Sequence, residues 1–132
     1  LHTAYRRQRQ MCIRDRDCLI IDSFGLLSSI YRYGQIAYIG GGFGAGIHNT
    51  LEAAVYGMPV LFGPRYHKFK EAKDLIAVGG GFSITDDSSF RTKMDELLTD
   101  PTALETSGQA AGDFVKNSVG ATDQILRQIH IR

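Results

Sequence analysis

The sequence predicts an α/β domain in which a parallel, doubly wound sheet is covered by helices on both faces. Two features predict it. Strand-length runs that are apolar throughout, at 18–21, 36–39 and 60–62, alternate with helical patterns, as expected for parallel strands buried on both sides. Between the second run and the helix after it lies Gly40-Gly41-Gly42-Phe43-Gly44-Ala45-Gly46. Five glycines in seven residues exceed what an ordinary strand-to-helix turn needs. With 132 residues, 43% apolar and 22% charged, the chain has the length and composition of one soluble globular domain.

The elements follow in order. Asp17-Cys18-Leu19-Ile20-Ile21-Asp22 reads as the first strand, with Cys18 as a small core residue. Ser23 is placed to cap a helix over 25–33, whose buried face is Leu26, Leu27, Ile30 and Tyr31 and which Gly34 ends. The strand at 36–39, the glycine loop and a helix over 51–56 come next. The helix carries Leu51, Ala54 and Val55 on one face. Beyond Gly57-Met58-Pro59, Val60-Leu61-Phe62 is a wholly apolar strand. The loop 63–69 leads into a helix over 71–78, and Phe82-Ser83-Ile84 is a short strand. Asp86-Asp87-Ser88 caps a helix reaching Thr99. A further helix restarts at Pro101 and runs to about Lys116, and a last one spans 120–131.

Residues 1–16 do not match this pattern. Arg6, Arg7, Arg9, Arg14 and Arg16 against Asp15 put a charge of +4 there, which leaves −3 for the rest of a chain whose net charge is +1. Two readings of this segment are open: a basic arm for RNA or anionic lipid, and a stretch foreign to the fold. The string Arg-Gln-Arg-Gln-Met-Cys-Ile-Arg-Asp-Arg resembles translated sequencing-adapter read-through, so 1–16 is set apart as a non-native or disordered tail and 17–132 is read as the domain. With the tail removed the charge is mildly acidic and no nucleic-acid footprint is left. Cys12 and Cys18 make neither a disulfide framework nor a metal set, in keeping with a reducing compartment. No run reaches the length of a membrane span, and the start has no apolar signal core.

In such a sheet, ligands bind beyond the carboxyl ends of the strands. Three loops carry chemistry there: 23–25, 40–49 and 63–69, expected to line one crevice. Glycines allow close backbone approach, and free N–H groups at the start of a helix favour an anion. Familiar motifs do not fit. Gly42-x-Gly44-x-Gly46 is not G-x-G-x-x-G, no Gly-Lys-Ser/Thr follows it, and there is no G-x-S-x-G elbow. Asn49 and Glu52 read equally as a capping box and as a site in which Glu52 accepts ribose hydroxyls. His48 is either a satisfied loop residue or a donor to phosphate. Arg65, Tyr66, His67 and Lys68 form a basic, aromatic loop on the same rim.

Ser23-Phe24-Gly25-Leu26-Leu27, Tyr31, Ala37-Tyr38-Ile39-Gly40-Gly41-Gly42, His48-Asn49-Thr50-Leu51-Glu52-Ala53-Ala54 and Gly57-x-Pro59-Val60-Leu61-Phe62-Gly63-Pro64 together resemble the carboxy-terminal half of the 3-deoxy-D-manno-octulosonic acid (Kdo) transferases. The resemblance covers about residues 17–130. It implies a Rossmann-like domain forming the donor half of a two-domain GT-B glycosyltransferase that moves Kdo from CMP-Kdo to a lipid A precursor in lipopolysaccharide synthesis. It further implies action at the cytoplasmic face of the inner membrane, no cofactor, no metal, and inverting transfer with a catalytic base in the absent amino-terminal half.

The donor-binding residues it implies are Gly25, Gly40, Gly41, Gly42, Phe43, His48, Asn49, Glu52, Pro64 and Arg65. The phosphate would lie at the glycines and the His48-Asn49 helix start, the ribose at Glu52, and Kdo near Pro64 and Arg65. The chain departs from the family pattern at Ile47, where glycine is common, at Leu26, where glutamate is common, and at Lys68, where asparagine is frequent. A UDP-sugar transferase half and a non-catalytic nucleotide-binding domain remain as alternatives.

Overall fold

The computed structural model describes residues 18–22 and 25–130. The tail at 1–16, the cap at Ser23 and Phe24 lie outside the described residues. The element order is α1 (Leu27–Ile30), a 3₁₀ turn (Tyr31–Tyr33), β1 (Ala37–Ile39), α2 (Leu51–Ala54), β2 (Val60–Phe62), α3 (Lys70–Val78), β3 (Gly81–Ser83), α4 (Asp87–Thr99) and α5 (Pro101–His130). The strands form a parallel sheet in the order β1-β2-β3. Ala37 pairs with Val60, and Val60 in turn with Gly81.

The central strand shows why the sheet needs two covers. Val60, Leu61 and Phe62 are all fully buried, and successive side chains of a strand point to opposite faces. Val60 and Phe62 join a core with Ala53 and Ala54 of α2, Ala72 and Leu75 of α3, and Ala111 and Val115 of α5. Leu61 joins a second core with Ile84 and Leu97, against which Phe90 and Met94 of α4 and Leu104 of α5 pack. Helices therefore cover both faces, as the apolar strand runs require.

Helix α5 reaches both cores, and its approach depends on small residues. A Cβ on Gly108 would stand 2.4 Å from the Gly57 carbonyl oxygen, and one on Gly80 would stand 2.7 Å from the Ala111 backbone. The two terminal helices expected at 101–116 and 120–131 are one continuous helix. The segment between them, Asn117-Ser118-Val119-Gly120, contains no proline, and one glycine costs only about 1 kcal/mol in a helix. Ser118 Oγ donates to the Phe114 carbonyl within the helix at 2.9 Å.

Other expectations need correction. Residues 18–22 form no strand. Leu19, Ile20 and Ile21 are 54%, 59% and 40% exposed, and Cys18 is an exposed free thiol rather than a core residue. An apolar run becomes a buried strand only where it pairs with a sheet and has cover on both faces, and Leu19, Ile20 and Ile21 join no strand of the described sheet and lie exposed. The helix expected over 25–33 is one turn of α-helix followed by a 3₁₀ turn. Leu26 and Leu27 are exposed there, and Tyr31 packs against the core. Helix α2 is a single turn that buries Ala53 and Ala54, while Val55 lies beyond its end and is exposed. No described helix is long and apolar enough to cross a membrane.

Helix α3 ends at Gly79 in the left-handed conformation, with φ 85°. Helix α4 begins at a reciprocal cap: Ser89 N–H donates to Asp86 Oδ1 at 2.7 Å, and Asp86 N–H donates to Ser89 Oγ at 3.1 Å. Hydrogen bonds from Ser89 hold the Asp86 carboxyl below the usual carboxylate range. A group with a depressed folded pKa contributes stability above its unfolded pKa and loses it as pH falls through the folded value. Asp86→Asn should therefore change the urea midpoint little at neutral pH, because asparagine also caps. It should flatten the loss of stability that the wild type shows below about pH 4. Parallel acid limbs in the two proteins would contradict this.

Candidate functional site

The loops after β1 and β2 are joined backbone to backbone at the carboxyl edge of the sheet. A Cβ on Gly42 would stand 2.4 Å from the Gly63 nitrogen, and one on Gly63 would stand 2.6 Å from the Gly42 carbonyl carbon. Arg65 N–H donates to the Gly42 carbonyl at 2.9 Å, and Arg65 Nη1 donates to the Gly44 carbonyl at 2.8 Å. Within the glycine loop, Gly44 and Gly46 N–H both donate to the Gly41 carbonyl at 3.0 Å, and His48 N–H donates to that of Gly40 at 3.1 Å. Gly41 takes φ 92°, and its Cβ would meet the Gly46 carbonyl oxygen at 2.2 Å.

The glycines thus serve first to let two loops touch. Three of the amides expected to face a phosphate, those of Gly44, Gly46 and His48, are already bonded inside the loop. Gly42 is buried beneath it. Side chains, more than main-chain N–H groups, make this a polar surface.

Two cavities open beside the joined loops, and Phe69 lies in the wall of both. One, of about 410 Å³, is lined by Ile47, His48, Asn49, Thr50, Leu51, Phe69 and Glu71. The other, of about 260 Å³, is lined by Ala45, Gly46, Arg65, His67, Lys68 and Phe69. The basic loop is held by ring contacts: Phe62 meets Tyr66 edge to face with centroids 5.5 Å apart, and Tyr66 stacks on His67 at 4.3 Å. Gly46 leaves room for Phe69, since a Cβ there would meet the ring at 3.2 Å. Asn49 Oδ1 accepts from Leu51 N–H at 2.9 Å, so the forward half of the expected capping box forms. Glu52 makes no reciprocal bond among the described residues. Its half-buried carboxylate lies near Tyr31, and burial and then Glu52 push the Tyr31 phenol up.

The structure therefore brings together His48 and Asn49 in one cavity and Arg65 in the next. Other expected residues stand apart from these walls. Gly25 is exposed with open space around it, and Gly40, Gly41 and Pro64 are half-buried and line neither cavity. Phe43 faces a third cavity, of about 420 Å³, with Tyr38, Ile84, Asp86, Asp87 and Phe90. Sequence reasoning missed Phe69 and Glu71. Their only signal was position, at the end of a basic loop and in the first turn of the next helix.

A 3-deoxy-D-manno-octulosonic acid transferase of Aquifex aeolicus is 39% identical over 85 residues, 63% of this chain and 24% of that protein. The transferase of Bordetella pertussis is 33% identical over 83% of this chain and 26% of its own length. That of Rickettsia conorii is 30% identical over 98% of this chain and 28% of its own. The chain is a homologue of the Kdo transferases. It spans about a quarter of the length of these relatives.

Among solved structures, this Kdo transferase homologue resembles the C-terminal CMP-Kdo binding domain of WaaA from Acinetobacter baumannii. The TM-score is 0.63 at 29% identity, over 70% of this chain and 50% of that one. No protein-family model matches the chain.

Two measurements check the geometry. Gly42→Ala should destabilise the domain by about 1–3 kcal/mol in urea unfolding, as overpacking against backbone does. Gly44→Ala, which meets nothing closer than 3.8 Å, should be within about 0.5 kcal/mol of wild type. In Glu52→Gln, the Tyr31 ring should titrate at lower pH than in wild type by NMR, because the carboxylate charge that raises it is gone. An unchanged Tyr31 titration would separate the two residues.

Proposed function

We propose that this domain binds CMP-Kdo and is the donor half of a GT-B glycosyltransferase that transfers Kdo, with inversion, to a lipid A precursor at the cytoplasmic face of the inner membrane. The observation that carries the reading is the likeness, at 29% identity, to a solved CMP-Kdo binding domain, together with His48, Asn49 and Arg65 lining cavities at the carboxyl edge of a parallel sheet.

In this reading the nucleotide lies over the start of α2. His48 and Asn49 donate to the phosphate, and Glu52, one turn on and beside Tyr31, accepts the ribose hydroxyls. Arg65, its backbone and Nη1 fastened to the glycine loop, directs its remaining N–H groups toward the sugar. Gly40, Gly41 and Gly42 contribute by shaping the loop, and Pro64 by fixing the entry to the basic segment.

The chemical task of such a half is electrostatic. As the bond from Kdo C2 to the phosphate oxygen breaks, negative charge builds on departing CMP. Donors already held in place stabilise that charge without reorganising. The acceptor hydroxyl loses its proton to a base in the part of the longer protein that precedes this domain, so this chain alone transfers nothing.

Thermal melting with nucleotides tests the reading. CMP at ten times its Kd should stabilise the domain by about 1.4 kcal/mol, or roughly 4–7 °C, and UDP at the same concentration should leave the melting temperature unchanged. His48→Ala and Asn49→Ala should each remove most of the CMP shift. A larger shift with UDP would favour a UDP-sugar donor. Kdo transfer to a lipid acceptor by this chain alone would overturn the division of labour.

A further inference from the structure

We infer that the two cavities flanking Phe69 read opposite ends of the transferred sugar, with Lys68 and Glu71 as specificity-determining residues. The inference rests on the CMP-Kdo reading above and adds to it where the sugar acid lies and what recognises it.

The walls sort by charge. On one side of Phe69 stand Arg65, His67 and Lys68 with no carboxylate among the lining residues. On the other side stand His48, Asn49, Thr50 and Glu71. Phe69 is 37% exposed, and its ring forms an apolar ridge between them.

A 3-deoxy-octulosonic acid has a matching polarity. A carboxylate sits at one end, beside the reacting carbon; a methylene follows at C3; a chain of hydroxyls forms the other end. The carboxylate is repelled by Glu71 and attracted by the basic cavity, where charge-assisted hydrogen bonds are strongest. Hydroxyl donors suit the Glu71 carboxylate. The C–H surface of the sugar suits the Phe69 face.

This arrangement also orients the reaction. The reacting carbon is bonded to the carboxylate, so seating the acid group beside Arg65 fixes the leaving oxygen relative to His48 and Asn49. A neutral sugar of similar size would leave the basic cavity unpaired, which supplies discrimination.

Calorimetric titration of the full chain with CMP and with CMP-Kdo tests the inference, using Lys68→Met and Glu71→Gln, two exposed positions. Wild type should bind CMP-Kdo at least fivefold more tightly than CMP. Each variant should lose that increment while holding CMP within twofold of wild type. An increment that survives in either variant overturns the assignment. So does a loss that falls equally on CMP and CMP-Kdo, which would make Lys68 and Glu71 contacts of the nucleotide and not of the sugar, and so does a wild type with no increment. Failure of wild type to bind CMP at all would overturn the donor reading itself, and would be seen before any variant is made.

Discussion

The contact between Gly42 and Gly63 is the constraint on which the rest of the site depends. Neither residue can carry a side chain, because a Cβ on either would overlap the backbone of the other. With both bare, the loops leaving β1 and β2 close onto each other, and Arg65 adds bonds from its N–H to Gly42 and from its guanidinium to Gly44. That junction sets where His67 and Lys68 stand relative to His48 and Asn49. A polar surface assembled from two loops otherwise has no fixed geometry, since each loop alone has many conformations of similar energy.

The junction is held from behind by close packing of the same kind. Helix α5 lies against Gly57 and Gly80 through Gly108 and Ala111, and it reaches the cores on both sides of the sheet. Small residues at the crossing let the backbones approach, so the three-residue strands are clamped by a helix of thirty residues. Short strands with few ladder bonds depend on such cover, and Leu61 and Phe62 are fully buried because of it.

Much of the fold was legible in local pattern. Val60-Leu61-Phe62 reads as a buried strand because a wholly apolar run between turn residues has few other uses. The cap at Asp86 and the stop at Gly79 follow from side-chain and backbone chemistry within four residues. Leu19-Ile20-Ile21 reads the same way and is exposed, because strand formation also needs a neighbour that the run itself does not encode. The sequence suggests two helices about Gly120, yet 101–130 is one helix, because a lone glycine costs too little to end it. Of the site, His48, Asn49 and Arg65 were legible from loop composition. Phe43, which the resemblance groups with them, lines a different cavity together with Tyr38 and Phe90.

By itself the sequence determined the class of fold, the position of the glycine-rich and basic loops and the kinship to Kdo transferases, because periodicity, glycine content and motif order are properties of the chain read one residue after another. Tertiary structure decided which glycines touch, which amides are already bonded within the loop, and that Phe69 separates a basic cavity from one holding Glu71. Those are relations between segments distant along the chain. They exist only once Gly42 meets Gly63 and excludes every side chain between them.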